Sequence, residues 1–152
     1  MFYPTRPPAA IARIHGGDDF PHLCGIVFFF PHNNGVLVSA HIQGLPTYEL
    51  ERKCFAFHIH EGNRCTGDDF ADVGAHFDLH HQPHPYHTGD LPALFAVHGK
   101  ACLACWTDRF RIRDIVGRTI LIHEQADDYH TQPSGNAGKK IACGVILRNC
   151  CR

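Results

Sequence analysis

Apolar side chains recur along this chain in short alternating runs. No stretch sustains the period of a helix, so the pattern predicts strands throughout. The runs are Ile11–Ile14, Gly25–Phe30, Val36–Ile42, Cys54–His60, Leu94–Val97, Ala101–Trp106, Arg118–His123 and Ile141–Leu147. Turn residues such as Gly16-Gly17, Pro31, Asn33-Asn34-Gly35 and Gly44-Leu45-Pro46 separate them. In the third run Val36, Val38 and Ala40 alternate with Leu37, Ser39 and His41, one set for a core and one for the outside. Eight short strands, with long loops after the fourth and the seventh, predict an all-β antiparallel sandwich or barrel. Residues 1–9, with three prolines, read as an extended, poorly ordered lead-in, residues 10–147 as one domain, and 148–152 as a tail.

Two strands carry chemistry. In Cys54–His60, alternation sets Cys54, Ala56, His58 and His60 on one face against Phe55, Phe57 and Ile59 on the other. The apolar face anchors the strand, and His58 and His60 then share a side, close enough to bind one ion. Ile120 and Ile122 oppose His123 in the same way. Between Phe57 and Pro92 the chain holds seven of its 14 histidines (His58, His60, His76, His80, His81, His84 and His87), with Asp78 and Asp90 nearby. Neutral imidazole is the commonest protein ligand for zinc and copper, so the stretch reads as a metal site. The segment Glu124–Lys140, with Pro133, Gly135, Asn136 and Gly138, reads as a long surface loop.

Composition narrows this further. At 152 residues the chain suits one domain with a full core, and a net charge of -1 gives no electrostatic case for a nucleic-acid partner. No apolar run approaches the roughly 18 residues of a membrane span. The N-terminal MFYPTRPPAA lacks the apolar core of a secretory signal, so the expectation is a cytoplasmic protein, with export the alternative if a leader has been removed. Most of the eight cysteines read as small apolar strand residues. Cys102 and Cys105 form a C-x-x-C, but an odd separation along a strand sends them to opposite faces, which argues against a zinc or redox pair. Cys150-Cys151 carries no favoured reading. His15, His22, His32, His41, His98 and His130 read as ordinary surface or partly buried residues.

FHIHEG (57–62), Cys65, GAHFD (74–78), HTGDLPAL (87–94), GRTILIHEQADD (117–128) and GNAGKKIACGVI (135–146) occur in the order of a known family. From about Ala10 to Ile146 the chain resembles the copper–zinc superoxide dismutases, whose fold is an eight-stranded Greek-key β-barrel. The resemblance implies copper ligands at His58, His60, His76 and His123, with His76 bridging to zinc. It implies zinc ligands at His76, His87, Asp90 and one histidine between them, for which His84 has the best spacing and His80 and His81 compete. It implies that Asp127 links a ligand of each metal by hydrogen bonds, and that Cys65 and Cys143 form a disulfide. Closing a loop of about 80 residues would be worth several kcal/mol in the chain-entropy model. One position departs from the pattern. The family's channel arginine is here Lys140, which keeps the positive charge and loses the planar two-pronged donor.

What the resemblance implies about activity is disproportionation of superoxide to dioxygen and hydrogen peroxide by copper redox cycling. His76 would take up a proton and Lys140 would attract the anion, with zinc in a structural part. Copper delivery by a chaperone and a homodimer are further expectations from the family, with no nucleic-acid or membrane partner. The alternative, from another class, is a copper- or zinc-binding storage or delivery protein on the same scaffold, without dismutase activity.

Overall fold

The computed structural model describes residues 6–47 and 52–150. The predicted lead-in and tail therefore fall partly outside the described residues, as does Cys151. Among the described residues nine strands run β1 Ala10–Gly16, β2 Cys24–His32, β3 Gly35–Gln43, β4 Arg52–Phe55, β5 Phe57–His60, β6 Leu94–Val97, β7 Lys100–Thr107, β8 Thr119–His123 and β9 Lys140–Arg148. They form one antiparallel sheet in the order β4-β6-β7-β3-β2-β1-β9-β8-β5. β1, β2 and β3 are successive hairpins, while β7 returns to β3 and β9 returns to β1. Those returns make the Greek-key barrel that the sequence pattern and the resemblance led us to expect.

The strand count differs from eight because Cys54–His60 is split. β4 pairs with β6 at one edge of the sheet, and β5 pairs with β8 at the other. Between them, Ala56 donates its N–H to Gln125 O and accepts from His123 N, at 2.8 and 2.9 Å. The chain thus crosses from one edge to the other at a single residue and nearly closes the barrel. Side-chain alternation runs through the break without interruption, with Phe55, Phe57 and Ile59 all in the core. Periodicity reads which way a side chain faces, not which ladder its backbone joins.

Inward positions fill the barrel as the alternation predicts. Ala10, Ala12 and Ile14 of β1, Val27 and Phe29 of β2, and Val36, Val38, Ala40 and Ile42 of β3 are buried in one cluster. β5 and β8 differ from the rest: every residue of both is buried. Their outer faces are covered by the loops 61–93 and 124–139, so a polar residue there lies under protein rather than in water.

Candidate metal centre

The first long loop is laid down on β5. Isolated bridges pair His60 with His76 and His58 with Asp90. Cys65 and Cys143 form a disulfide, with Cα atoms 5.7 Å apart, that ties this loop to β9. Phe70 and Val73 then pack on Leu121 and Cys143, the outward-facing residues of β8 and β9. Pairing of β8 with β9 shifts register after Ile122: Ile122 faces Ala142, and His123 faces Lys140. The extra residue, Ile141, is a bulge that sets Lys140 beside His123.

Two groups of ligand-type side chains result. His58, His60, His76 and His123 each offer a nitrogen within 4.8 Å of the others, and all four are buried. His76, His84, His87 and Asp90 form a second such group. His76 belongs to both. Hydrogen bonds decide which ring atom each histidine has to spare. His58 Nε2 is 2.7 Å from Asp127 Oδ2, leaving Nδ1. His60 Nδ1 is 2.9 Å from Gly74 O and His123 Nδ1 is 3.4 Å from Gly138 O, leaving two Nε2 atoms 3.3 Å apart. His76 Nδ1 is 2.8 Å from Asp90 Oδ1, leaving Nε2. His84 Nε2 is 2.8 Å from Asp127 Oδ1. Its Nδ1 lies 3.0 Å from Asp90 Oδ2 without hydrogen-bond geometry.

Among the described residues, four buried side-chain polar atoms have no hydrogen-bond partner: His58 Nδ1, His76 Nε2, His84 Nδ1 and Thr119 Oγ1. Three of these are spare nitrogens of the two groups. A buried polar atom without a partner costs about 1–3 kcal/mol, and a metal ion that takes up the lone pair removes the cost. Both groups fit a metal ion on that ground, the second with the three imidazoles and one carboxylate of a closed zinc site.

The electrostatics keep the lone pairs free. Burial, then the charge of the neighbouring histidines, holds His60 well below the usual imidazole range and brings His123 down to about 3. His76 is lowered chiefly by burial as well, against the hydrogen bond to Asp90. Burial alone would raise Asp127, but hydrogen bonds from His58, His84 and the Tyr129 N–H outweigh it and bring the carboxyl to about 2. Asp127 is therefore an anion joining one histidine of each group. Such a carboxylate fixes the orientation and tautomer of both rings.

Of the three histidines competing for the second group, the structure brings in His84 and leaves His80 and His81 exposed in the loop. Asp78 joins neither group. Its carboxylate instead accepts the backbone N–H groups of His80, Gln82 and Thr88 and shapes the loop that carries them. Lys140, with His60, His76, His87 and His123, lines a 420 Å³ cavity open at the first group. Cys102 is exposed, while Cys105 turns toward the core, where burial pushes its thiol up to about 11. As the strand geometry required, they do not form a pair.

Sequence reading missed two supports. Arg109 donates to the carbonyls of Pro85, His87 and Asp90 at 3.0–3.2 Å, clamping the segment that carries His87 and Asp90. Gly135, at φ 68°, sits so near Asp127 that a Cβ would lie 2.0 Å from Oδ1 and 2.7 Å from His84 Nε2. Arg109 gave no signal, because a lone arginine in a loop has no periodicity to read. Gly135 stood in GNAG, where its turn character was visible and its contact was not.

Comparison with known proteins agrees with this geometry. The family model for copper/zinc superoxide dismutase (SODC) matches residues 23–146. The chain is 34% identical to the copper–zinc superoxide dismutase of Deinococcus radiodurans, over 85% of this chain and 80% of that one. It is 37% identical to the superoxide dismutase-like protein YojM of Bacillus subtilis, over 61% of this chain and only 55% of that relative's length. A crystal structure of a mutant SOD-like protein from Bacillus subtilis superposes with a TM-score of 0.76 at 28% identity, covering 90% of this chain and 97% of that one. Copper and zinc are the cofactors of this family, and the two histidine groups are places that can hold them. With nine antiparallel strands, a loop-to-strand disulfide and two histidine groups joined through His76 and Asp127, the chain belongs to the copper/zinc superoxide dismutase family.

Proposed function

We propose that this chain is an active dismutase, with copper held by His58 Nδ1 and the Nε2 atoms of His60, His76 and His123, and zinc held by His76, His84, His87 and Asp90. The observation that carries the reading is the buried, unpartnered His76 Nε2 in a group that opens onto the cavity lined by Lys140. A pure storage site needs donors; it does not need an anion-attracting wall beside them. When bound, copper would supply the one-electron exchange that turns two superoxide anions and two protons into dioxygen and hydrogen peroxide, and zinc would supply position and charge.

The chain's own residues do the rest. His76 Nδ1 lies on the side of the second group, 2.8 Å from Asp90 Oδ1, so Nε2 is the atom that can carry a proton toward the peroxide product. Lys140 draws the anion into the cavity by charge. Gly74 O and Gly138 O fix the rings of His60 and His123. Asp127 keeps His58 turned so that Nδ1 faces the group.

Pulse radiolysis of superoxide decay, on protein with its copper and zinc quantified, tests this. We expect a fast rate proportional to bound copper, abolished by His123→Ala with the fold intact. Stoichiometric copper with a rate no better than that variant's would transfer the case to storage or delivery.

A further inference from the structure

The outer face of the barrel carries a second constellation, on strands remote from both histidine groups. β2, β3 and β7 lie side by side, and His41 of β3 stands directly across from Cys102 of β7. Both are exposed. Cys102 Sγ is 3.6 Å from His41 Nδ1, and His41 Nε2 is 3.1 Å from Ser39 Oγ on the same strand. With the ring proton on Nε2 and donated to Ser39 Oγ, Nδ1 presents its lone pair to the thiol. The next cross-strand pair on that face is Gln43 and Lys100. A cavity of 370 Å³ opens beside them, lined by His41, Gln43, Lys100 and Cys102 among others.

A thiol, an imidazole aimed at it, a hydroxyl orienting that imidazole, and a cation at the rim of one cavity make a reactive cysteine site. We propose that Cys102 is a reactive thiol that forms a mixed disulfide with a small, carboxylate-bearing disulfide, with His41 as base and Lys100 as the seat of the carboxylate. Cys102 Sγ attacks one sulfur of the small disulfide as its proton passes to His41 Nδ1. The new S–S bond forms while the old one breaks, and the departing thiolate takes up a proton to leave as a thiol. The small disulfide is the oxidant: one of its halves is released reduced, and Cys102 is left oxidised.

The adduct would persist. Cys24 lies on the outer face of β2, two strands away, so its Cα is roughly 10 Å or more from that of Cys102, beyond the reach of an internal disulfide. Cys105 faces the opposite side of the sheet. Cys54 of β4 is likewise two strands from Cys102, so none of these three strand cysteines reaches the adduct; an external thiol releases it, and the modification follows the redox state around the protein.

The experiment uses the intact, metal-loaded protein with two probes in limiting amount, the dianionic dithiobis(nitrobenzoate) and the neutral dithiodipyridine, and maps adducts by peptide mass over time. Cys24 is the internal reference: it is exposed too, and its Sγ accepts from the Gln43 amide at 3.4 Å. Cys102 should be labelled first by both probes. His41→Gln should slow Cys102 about tenfold and leave Cys24 unchanged, and Ser39→Ala should slow it by a smaller factor. Lys100→Gln should slow the dianionic probe at Cys102 and not the neutral one. The proposal is overturned if Cys102 reacts no faster than Cys24, or if neither His41→Gln nor Ser39→Ala slows it. Lys100→Gln acting equally on both probes would overturn the carboxylate seat.

Discussion

Asp127→Asn separates the two histidine groups in a way the geometry predicts. The carboxylate accepts three hydrogen bonds: His58 Nε2 on Oδ2 at 2.7 Å, and His84 Nε2 and the Tyr129 N–H on Oδ1 at 2.8 and 2.7 Å. An asparagine can set its amide oxygen at only one of the two places. With the oxygen toward His84 and Tyr129, the NH2 opposes one donor, His58 Nε2–H. With the amide reversed, the NH2 opposes two donors. The first arrangement has one conflict against two and should prevail. His58 can relieve it only by moving its proton to Nδ1, the atom proposed to hold copper.

The loss should therefore fall on the copper group. Removing such an orienting partner costs about 10–100-fold in metal affinity, or about 1.4–2.7 kcal/mol. Competition titrations against chromophoric chelators, with copper and zinc measured separately on the same variant, provide the assay. Copper affinity should fall by that factor and zinc affinity by clearly less. A zinc loss equal to or greater than the copper loss, or no change in either, would refute the tautomer argument.

Four further outcomes follow from the structure. Gly135→Ala drives a Cβ into Asp127 and His84, so it should cost about 2–4 kcal/mol in chemical denaturation and weaken zinc binding. Gly117→Ala, with φ 88° and nothing within 4 Å of its Cβ, should cost only the backbone strain of about 1–2 kcal/mol. The metal-free chain should lose stability as pH falls. His60, His76 and His123 are held below their ordinary 6.5, so from that pH downward the unfolded state binds more protons, and each excluded proton costs about 1.4 kcal/mol per pH unit. Asp127, at about 2 against an ordinary 3.8, adds the same sign at lower pH. A urea midpoint that stays flat from about pH 7 to pH 5 contradicts this. Cys65→Ser opens a link across a sequence separation of 78, which the chain-entropy model values at about 4.5 kcal/mol, and a loss under about 1 kcal/mol in urea would show that packing alone holds the loop.

Strand parity was legible in the sequence because it is a local property. Val36, Val38 and Ala40 had to face away from Leu37, Ser39 and His41 whatever the sheet did, and Phe57 and Ile59 had to face away from His58 and His60. The histidine-rich stretch likewise declared metal chemistry by residue type alone, and the ordered motifs pointed to the family.

The partners across space were decided only by the tertiary structure. Ala56 changes ladders because β4 and β5 meet different strands, a fact absent from their own alternation. His84 rather than His80 or His81 enters the second group because Asp127, 43 residues away, takes its Nε2. Arg109 reaches three carbonyls of the metal loop, and His41 meets Cys102 across a ladder 61 residues apart. Each is a contact between segments distant in the chain, set by how the barrel brings its edges and loops together. Local periodicity carries no information about such closures.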